Sequence, residues 1–132
     1  MERSGLTDSD VMEWVGRYER AWRAADLEAI DELFTPDAHY RTSPYEESLV
    51  GHDAIKTIWR DEELVFTVVA DTVAVDGQVG VVRLEVHYGN PVRQEYRDLW
   101  VITFAPDGRC ADFEEWAYWP GRPVSALTPA PD

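Results

Sequence analysis

The chain changes rhythm once. Up to about residue 60 its apolar residues recur every three or four positions, and beyond residue 63 they alternate. In "TDSDVMEWVGRYERAWRAAD" the side chains of Val11, Trp14, Val15, Tyr18 and Trp22 fall on one face of a helix. Thr7 with Asp10 three positions later resembles a capping box, Asp standing in for the usual Glu. Asp26 is placed to cap a second, short helix, "LEAIDELF", which turns Leu27, Ile30, Leu33 and Phe34 inward until Pro36 ends it. Residues 38–42 predict a short strand and "YEESLVG" a loop. "HDAIKTIWRDE" predicts a third helix that buries Ile55, Ile58 and Trp59.

The second half reads as four strands: "LVFTVVADTVAV", "VGVVRLEVHY", "RQEYRDLWVITF" and "RCADFEEWAYW". Turn signals separate them at Asp76-Gly77, Gly89-Asn90-Pro91 and Pro106-Asp107-Gly108. Connections this short favour antiparallel hairpins. The order is helix, helix, strand, helix, then four long strands, without internal repeat, in one domain over residues 1–119. The tail 120–132 is Pro-rich and reads as extended or disordered.

Charge pairing sets a register for the central hairpin. If Glu85 faces Arg97 and His87 faces Glu95, opposite charges meet across the strands. Arg83, Glu85, His87, Glu95 and Arg97 then share one face, flanked by Val81, Leu99 and Val101. The other face holds Val82, Leu84, Val86, Tyr96, Asp98, Trp100 and Ile102, with Asp98 as its one charge. The last strand admits two readings. A bulge at Asp107-Gly108 puts Phe113, Glu115 and Ala117 on the Asp98 face, and without it Glu114, Trp116 and Tyr118 take that place.

Composition narrows the function. At 132 residues and 45% apolar content the chain can bury a core without staples. A formal net charge of −14 disfavours nucleic acid and anionic membrane surfaces as partners. Cys110 is the single cysteine, so no intrachain disulfide forms, the N-terminus lacks an apolar signal core, and no run is long enough to span a membrane. A soluble cytoplasmic protein is expected. His39, His52 and His87 show no metal-ligand spacing, so no metal is expected. No nucleophile elbow, phosphate loop or dinucleotide fingerprint occurs, and no cofactor is expected.

Three segments carry a family likeness: "RAADLEAIDELFTPDAHYRTSP", "GHDAI" before a helix, and "EYRDLWVITFAPDGRCADFEEW". Together they resemble the SnoaL-like members of the nuclear transport factor 2-like superfamily over about residues 8–119. The resemblance implies an α+β cone: three N-terminal helices packed on a curved antiparallel or mixed sheet whose concave face encloses a mostly apolar pocket and whose outer face often dimerises. Superfamily members include isomerases, cyclases, dehydratases, epoxide hydrolases and plain binding modules, so fold analogy does not select a reaction. Ketosteroid isomerase, a relative, carries its general-base Asp just before a Pro on the first short strand. Here that position falls on Thr42 or Ser43, neither of which is a base near neutral pH.

Within such a cone the Asp98 face is the concave one. A lone carboxylate among aromatic and aliphatic side chains is desolvated and resists ionisation, which makes Asp98 the first catalytic candidate. Glu115 and the Tyr40 phenol are the others, since two carboxylates can divide acid and base roles. Trp14, Tyr18, Trp59, Tyr96, Trp100 and Phe113 are candidates for the wall of a pocket that takes an apolar or aromatic small molecule. Two readings stay open: a cofactor-independent isomerase, cyclase or dehydratase, or a non-catalytic ligand-binding or dimeric accessory module. A homodimer formed through the outer face is expected in either case.

Overall fold

The computed structural model describes residues 6–59, 66–89 and 94–118. The tail from residue 120, the Asn90-Pro91 part of the hairpin turn and residues 60–62 of the expected third helix lie outside them.

Helix α1 spans Asp8–Ala24. Its capping box forms as the sequence indicates: the Asp10 amide donates to Thr7 Oγ1 at 3.1 Å, and the Thr7 amide donates to Asp10 Oδ2 at 3.0 Å. Ala25 ends the helix in the left-handed conformation, φ 56°. A 3-10 turn, Leu27–Ala29, leads to α2, Ile30–Leu33. Asp26 makes no side-chain cap here. Its amide donates to the Ala21 carbonyl at 2.9 Å and its carbonyl accepts from Ala29 at 3.2 Å, so main chain closes the turn.

Strand β1, Phe34–Arg41, starts immediately after α2, earlier than expected, with Pro36 inside it. Its parallel ladder to the last strand is irregular between Phe34 and His39, which is where a residue without an N–H can sit. The short β2, Leu49–Val50, pairs with Tyr40 and His39. The sequence reads as loop there, because two residues cannot display an alternation. Helix α3, His52–Lys56, is shorter than predicted, yet Ile55 and Trp59 are buried as expected and Ile58 is half-buried.

Four long strands follow: β3 Phe66–Asp76, β4 Val79–Tyr88, β5 Gln94–Phe104 and β6 Cys110–Tyr118. The sheet order is β2-β1-β6-β5-β4-β3, and only the β1–β6 pair is parallel. The register of β4 on β5 is the one that charge pairing selects, with Glu85 opposite Arg97 and His87 opposite Glu95. This mixed six-stranded sheet packs one face on α1 and α2, the α+β cone that the resemblance implies. Val82, Leu84, Trp100, Ile102, Phe104 and Phe113 meet Val11, Trp14, Val15 and Tyr18 in the core. The fit between α1 and β4 is close. A Cβ at Gly80 would stand 2.8 Å from Val11 Cγ2, so no larger residue fits there without displacing the buried Val11 side chain.

Candidate functional site

Alternation along β5 delivers Asp98 to the concave face, where it is 4% exposed. Glu115 joins it because β6 carries one extra residue. Phe104 lies opposite Cys110 while Thr103 lies opposite Asp112, which leaves Ala111 unopposed. The bulge is therefore at Ala111, and Asp107-Gly108 forms the turn itself, closed by the Gly108 amide on the Ala105 carbonyl at 3.0 Å. Phe113, Glu115 and Ala117 point inward and are buried. Glu114 and Trp116 point outward, where Glu114 accepts from Arg41 at 3.0 Å and from Trp116 Nε1 at 2.6 Å.

One indole holds the two buried carboxyls. Trp100 Nε1 lies 3.2 Å from Asp98 Oδ2 and 3.2 Å from Glu115 Oε2, so both oxygens accept from it. Trp100 sits directly opposite Glu115 in the ladder and two residues from Asp98 on the same face, which is why one ring reaches both. Burial pushes Asp98 well above the usual carboxylate range, the charge of Glu115 adds to this, and the hydrogen bond it donates to Glu115 holds its proton in place. Burial also raises Glu115, against the opposing hydrogen bonds from Asp98 and Trp100. Of the two, Asp98 is raised the more strongly, since the neighbouring Glu115 adds to the effect of burial there. Asp98 Oδ1 is buried with no hydrogen-bond partner.

Two phenols stand close by. The Tyr18 and Tyr40 hydroxyls are 2.7 Å apart, and both rings stack on Phe113 at centroid distances of 5.7 and 4.6 Å. Burial above all raises both phenols well above their ordinary value. The charge of Glu115 raises them further, so both stay neutral donors.

These groups line a cavity of about 280 Å³. Tyr18, Trp22, Tyr40, Tyr88, Tyr96 and Trp100 supply its aromatic wall, with Leu84 and Val86 beside them. Trp22 and Tyr88 were not among the wall candidates read from the sequence, although each belongs to a pattern visible there. Trp22 follows Tyr18 by one helical turn, and Tyr88 continues the alternation Val82, Leu84, Val86. Trp22 Nε1 donates to the Tyr88 hydroxyl at 3.2 Å. At the cavity edge Glu19 accepts from Arg23 at 2.6 Å, and Arg23 also bonds the Phe66 carbonyl and covers the Phe66 ring at 4.1 Å.

The structure brings Asp98, Glu115 and Tyr40 together, with Tyr18, Tyr96 and Trp100 in the wall. It sets Trp14, Trp59 and Phe113 behind the wall. Trp14 donates to the Leu33 carbonyl at 2.9 Å, Phe113 is the stacking base for both phenols, and Trp59 backs Trp22 at 5.0 Å. His39 is exposed on the other face. His52 does not cap α3 but bonds the Phe34 carbonyl through Nε2 at 2.8 Å and sits 3.3 Å from Asp31. Thr42 lines the cavity and Ser43 is buried just before Pro44. A larger open groove of about 650 Å³ runs between α1 and the turn at 104–109, but its charged side chains, such as Glu13, Arg17 and Asp107, are in contact with solvent. Among the described residues no three His, Cys, Asp or Glu side chains cluster as metal ligands, and no helix is long and apolar enough to cross a membrane.

A family model described as the SnoaL-like domain matches residues 15–113. The chain belongs to the SnoaL-like domain family. No curated protein matches it. Solved structures similar to this SnoaL-like chain include a candidate ketosteroid isomerase from Kribbella flavida DSM 17836, with TM-score 0.64, 14% identity and coverage of 95% of this chain and 85% of that one. The epoxide hydrolase/cyclase-like enzyme SalBIII, of pyran ring formation in the polyether salinomycin, matches with TM-score 0.65, 21% identity and coverage of 83% and 90%. An NTF-2 like protein of unknown function from Silicibacter pomeroyi DSS-3 matches with TM-score 0.58, 16% identity and coverage of 83% and 94%. At these identities the likeness is one of fold.

Proposed function

We propose that this SnoaL-like protein is a cofactor-independent acid–base catalyst of the isomerase, cyclase or dehydratase kind, acting on an apolar or aromatic small molecule. The observation that carries the reading is the Asp98–Glu115 pair, two buried carboxyls bridged by one indole N–H in an aromatic cavity. Asp98, protonated, is the acid, and Glu115, its hydrogen-bond acceptor, is the base. Tyr40 and Tyr18 donate to oxygen on the substrate where charge develops. Neighbours described as a ketosteroid isomerase and an epoxide hydrolase/cyclase-like enzyme show that the same fold can host chemistry of this kind.

The test is a carboxyl titration by isotope-edited infrared spectroscopy. One carboxyl should stay protonated well above the ordinary range in the wild type, and that band should vanish in Asp98→Asn. Two carboxyls titrating normally would remove the basis for the reading. Native mass spectrometry of freshly purified protein then identifies any ligand carried along.

A second reading, binding without turnover, draws on Thr42 and Ser43, the non-basic residues that the family resemblance sets at the position of the ketosteroid isomerase base. Under it, Asp98→Asn alters affinity for the captured molecule but no reaction is found. We also infer a cytoplasmic homodimer built as one domain over residues 1–119. The outer sheet face supports the dimer: Leu99, Trp116 and Tyr118 are 39%, 39% and 40% exposed beside Arg83, Glu85 and Arg97. Light scattering should give twice the chain mass, and Trp116→Glu should halve it. A wild-type monomer at tens of micromolar would end the dimer proposal.

A further inference from the structure

The described cavity lining carries carboxyl groups but no cationic side chain. It holds Glu19, Asp98 and Glu115 and no Lys, Arg or His. Arg23, at the edge, is engaged by Glu19 and the Phe66 carbonyl. Among the described residues the Asp98–Glu115 pair therefore has no counter-cation in the cavity. Among the described residues its side-chain donor from outside the pair is a neutral indole, and Asp98 Oδ1, in a residue 4% exposed, has no partner there. Uncompensated negative charge away from water is unfavourable, and a bound cation relieves it. Aromatic faces surround the same space, from Tyr18 and Trp22 on α1 to Tyr88, Tyr96 and Trp100 on the sheet. Faces of Trp and Tyr attract cations most strongly where water is excluded. Carboxylate or phosphate ligands would meet repulsion with nothing to offset it.

We propose that the molecule this cavity takes carries a protonated amine, its ammonium seated on the Asp98–Glu115 pair and its apolar body against the aromatic wall. This rests on reading the cavity as the functional site, and it adds the charge of the ligand to that reading. The volume of about 280 Å³ suits one ring with a short arm. Ammonium N–H groups supply what the site lacks, donors for Asp98 Oδ1 and a full positive charge for Glu115.

Three probes of one shape and different charge decide the matter: 2-phenylethylammonium, 2-phenylethanol and phenylacetate, titrated against intact protein by calorimetry and tryptophan fluorescence. The ammonium should bind at least about tenfold more tightly than the alcohol, with phenylacetate weakest. Glu115→Gln, which keeps shape and removes the charge, should reduce the ammonium to the level of the alcohol. Equal or tighter binding of the alcohol overturns the inference and leaves the acid–base reading to the carboxyl titration. Failure of all three probes to bind also overturns it, as does an ammonium preference that survives Glu115→Gln. Should Glu115→Gln fail to fold, the ranking of the three probes on the wild type decides alone.

Discussion

Strands β4 and β5 have two faces built from the same ladder, and each carries carboxylates. On the outer face Glu85 meets Arg97 at 3.9 Å and Glu95 meets His87 at 3.9 Å, with side chains 30% exposed or more. On the inner face, one residue away in sequence, Asp98 has no basic partner among the described residues and is 4% exposed. Outside, water and salt screen the pairs, and moving one charge alters little. Inside, burial pushes the same functional group well above the usual carboxylate range, against the one indole N–H that Trp100 gives it. Position in the alternation, not residue type, turns a solubilising carboxylate into a chemical one.

The largest expected effect lies at the foundation of the inner face. Phe113 is fully buried and underlies Tyr18, Tyr40 and Trp100. Phe113→Ala should lower stability by about 3–5 kcal/mol in urea unfolding, through lost contacts and a cavity. A loss below about 1 kcal/mol would mean that the inner face is less tightly packed than described.

Asp98→Asn sharpens the contrast in function. It keeps shape and removes the transferable proton, so turnover of an identified substrate should fall by about 10²–10⁴. Its effect on stability has the opposite sign to that of Phe113→Ala. Folding raises the affinity of Asp98 and Glu115 for protons, so the folded chain holds protons that the unfolded chain has released. Stability from this pair is therefore complete below the ordinary carboxyl range, about pH 4, and is lost as pH rises through the elevated folded values. The melting temperature of the wild type should fall over that span. Asp98→Asn should flatten the slope and melt at or above the wild-type temperature at neutral pH. Clear destabilisation with unchanged ligand affinity would make Asp98 a structural residue.

Trp100→Phe preserves much of the packing and removes the N–H that serves both carboxyls. A cost of about 1–3 kcal/mol is expected, together with a carboxyl titration displaced further upward. The smallest effect belongs to the outer face. Arg97→Ala should change stability by about 0–1 kcal/mol, and by less in high salt. If Arg97→Ala costs as much as Trp100→Phe, the two faces are not the distinct environments argued above.

Legibility from sequence followed the same division. The β4–β5 register was readable because Glu85, His87, Glu95 and Arg97 permit only one pairing of opposite charges, and that register alone placed Asp98 inside. α1 was readable because Thr7–Asp10 and the apolar stripe agree. Glu115 stayed undecided against Glu114 because a bulge breaks the period on which such readings depend. The trace it leaves is the odd spacing of Cys110 and Phe113, both buried. β2 was invisible since its pairing comes from β1, not from its own two residues. The Trp100 bridge was invisible for a related reason, because an indole between two carboxyls is a property of three positions on two strands. Trp14 and Phe113 were readable as inward, but depth behind the cavity wall is not written in periodicity.

The unopposed Ala111 also bears on how the gene can change in length. Upstream of Phe113, β6 holds one residue more than β5 requires, and β1 is irregular over the same stretch. Loss of the Ala111 codon would draw Cys110 and Asp112 into a regular ladder and leave Phe113, Glu115 and Ala117 on their present face. Loss of the Glu114 codon has no such slack and would exchange inside for outside along the rest of the strand. Two in-frame deletions three codons apart should therefore differ completely, one a near-silent trimming and the other the removal of the site.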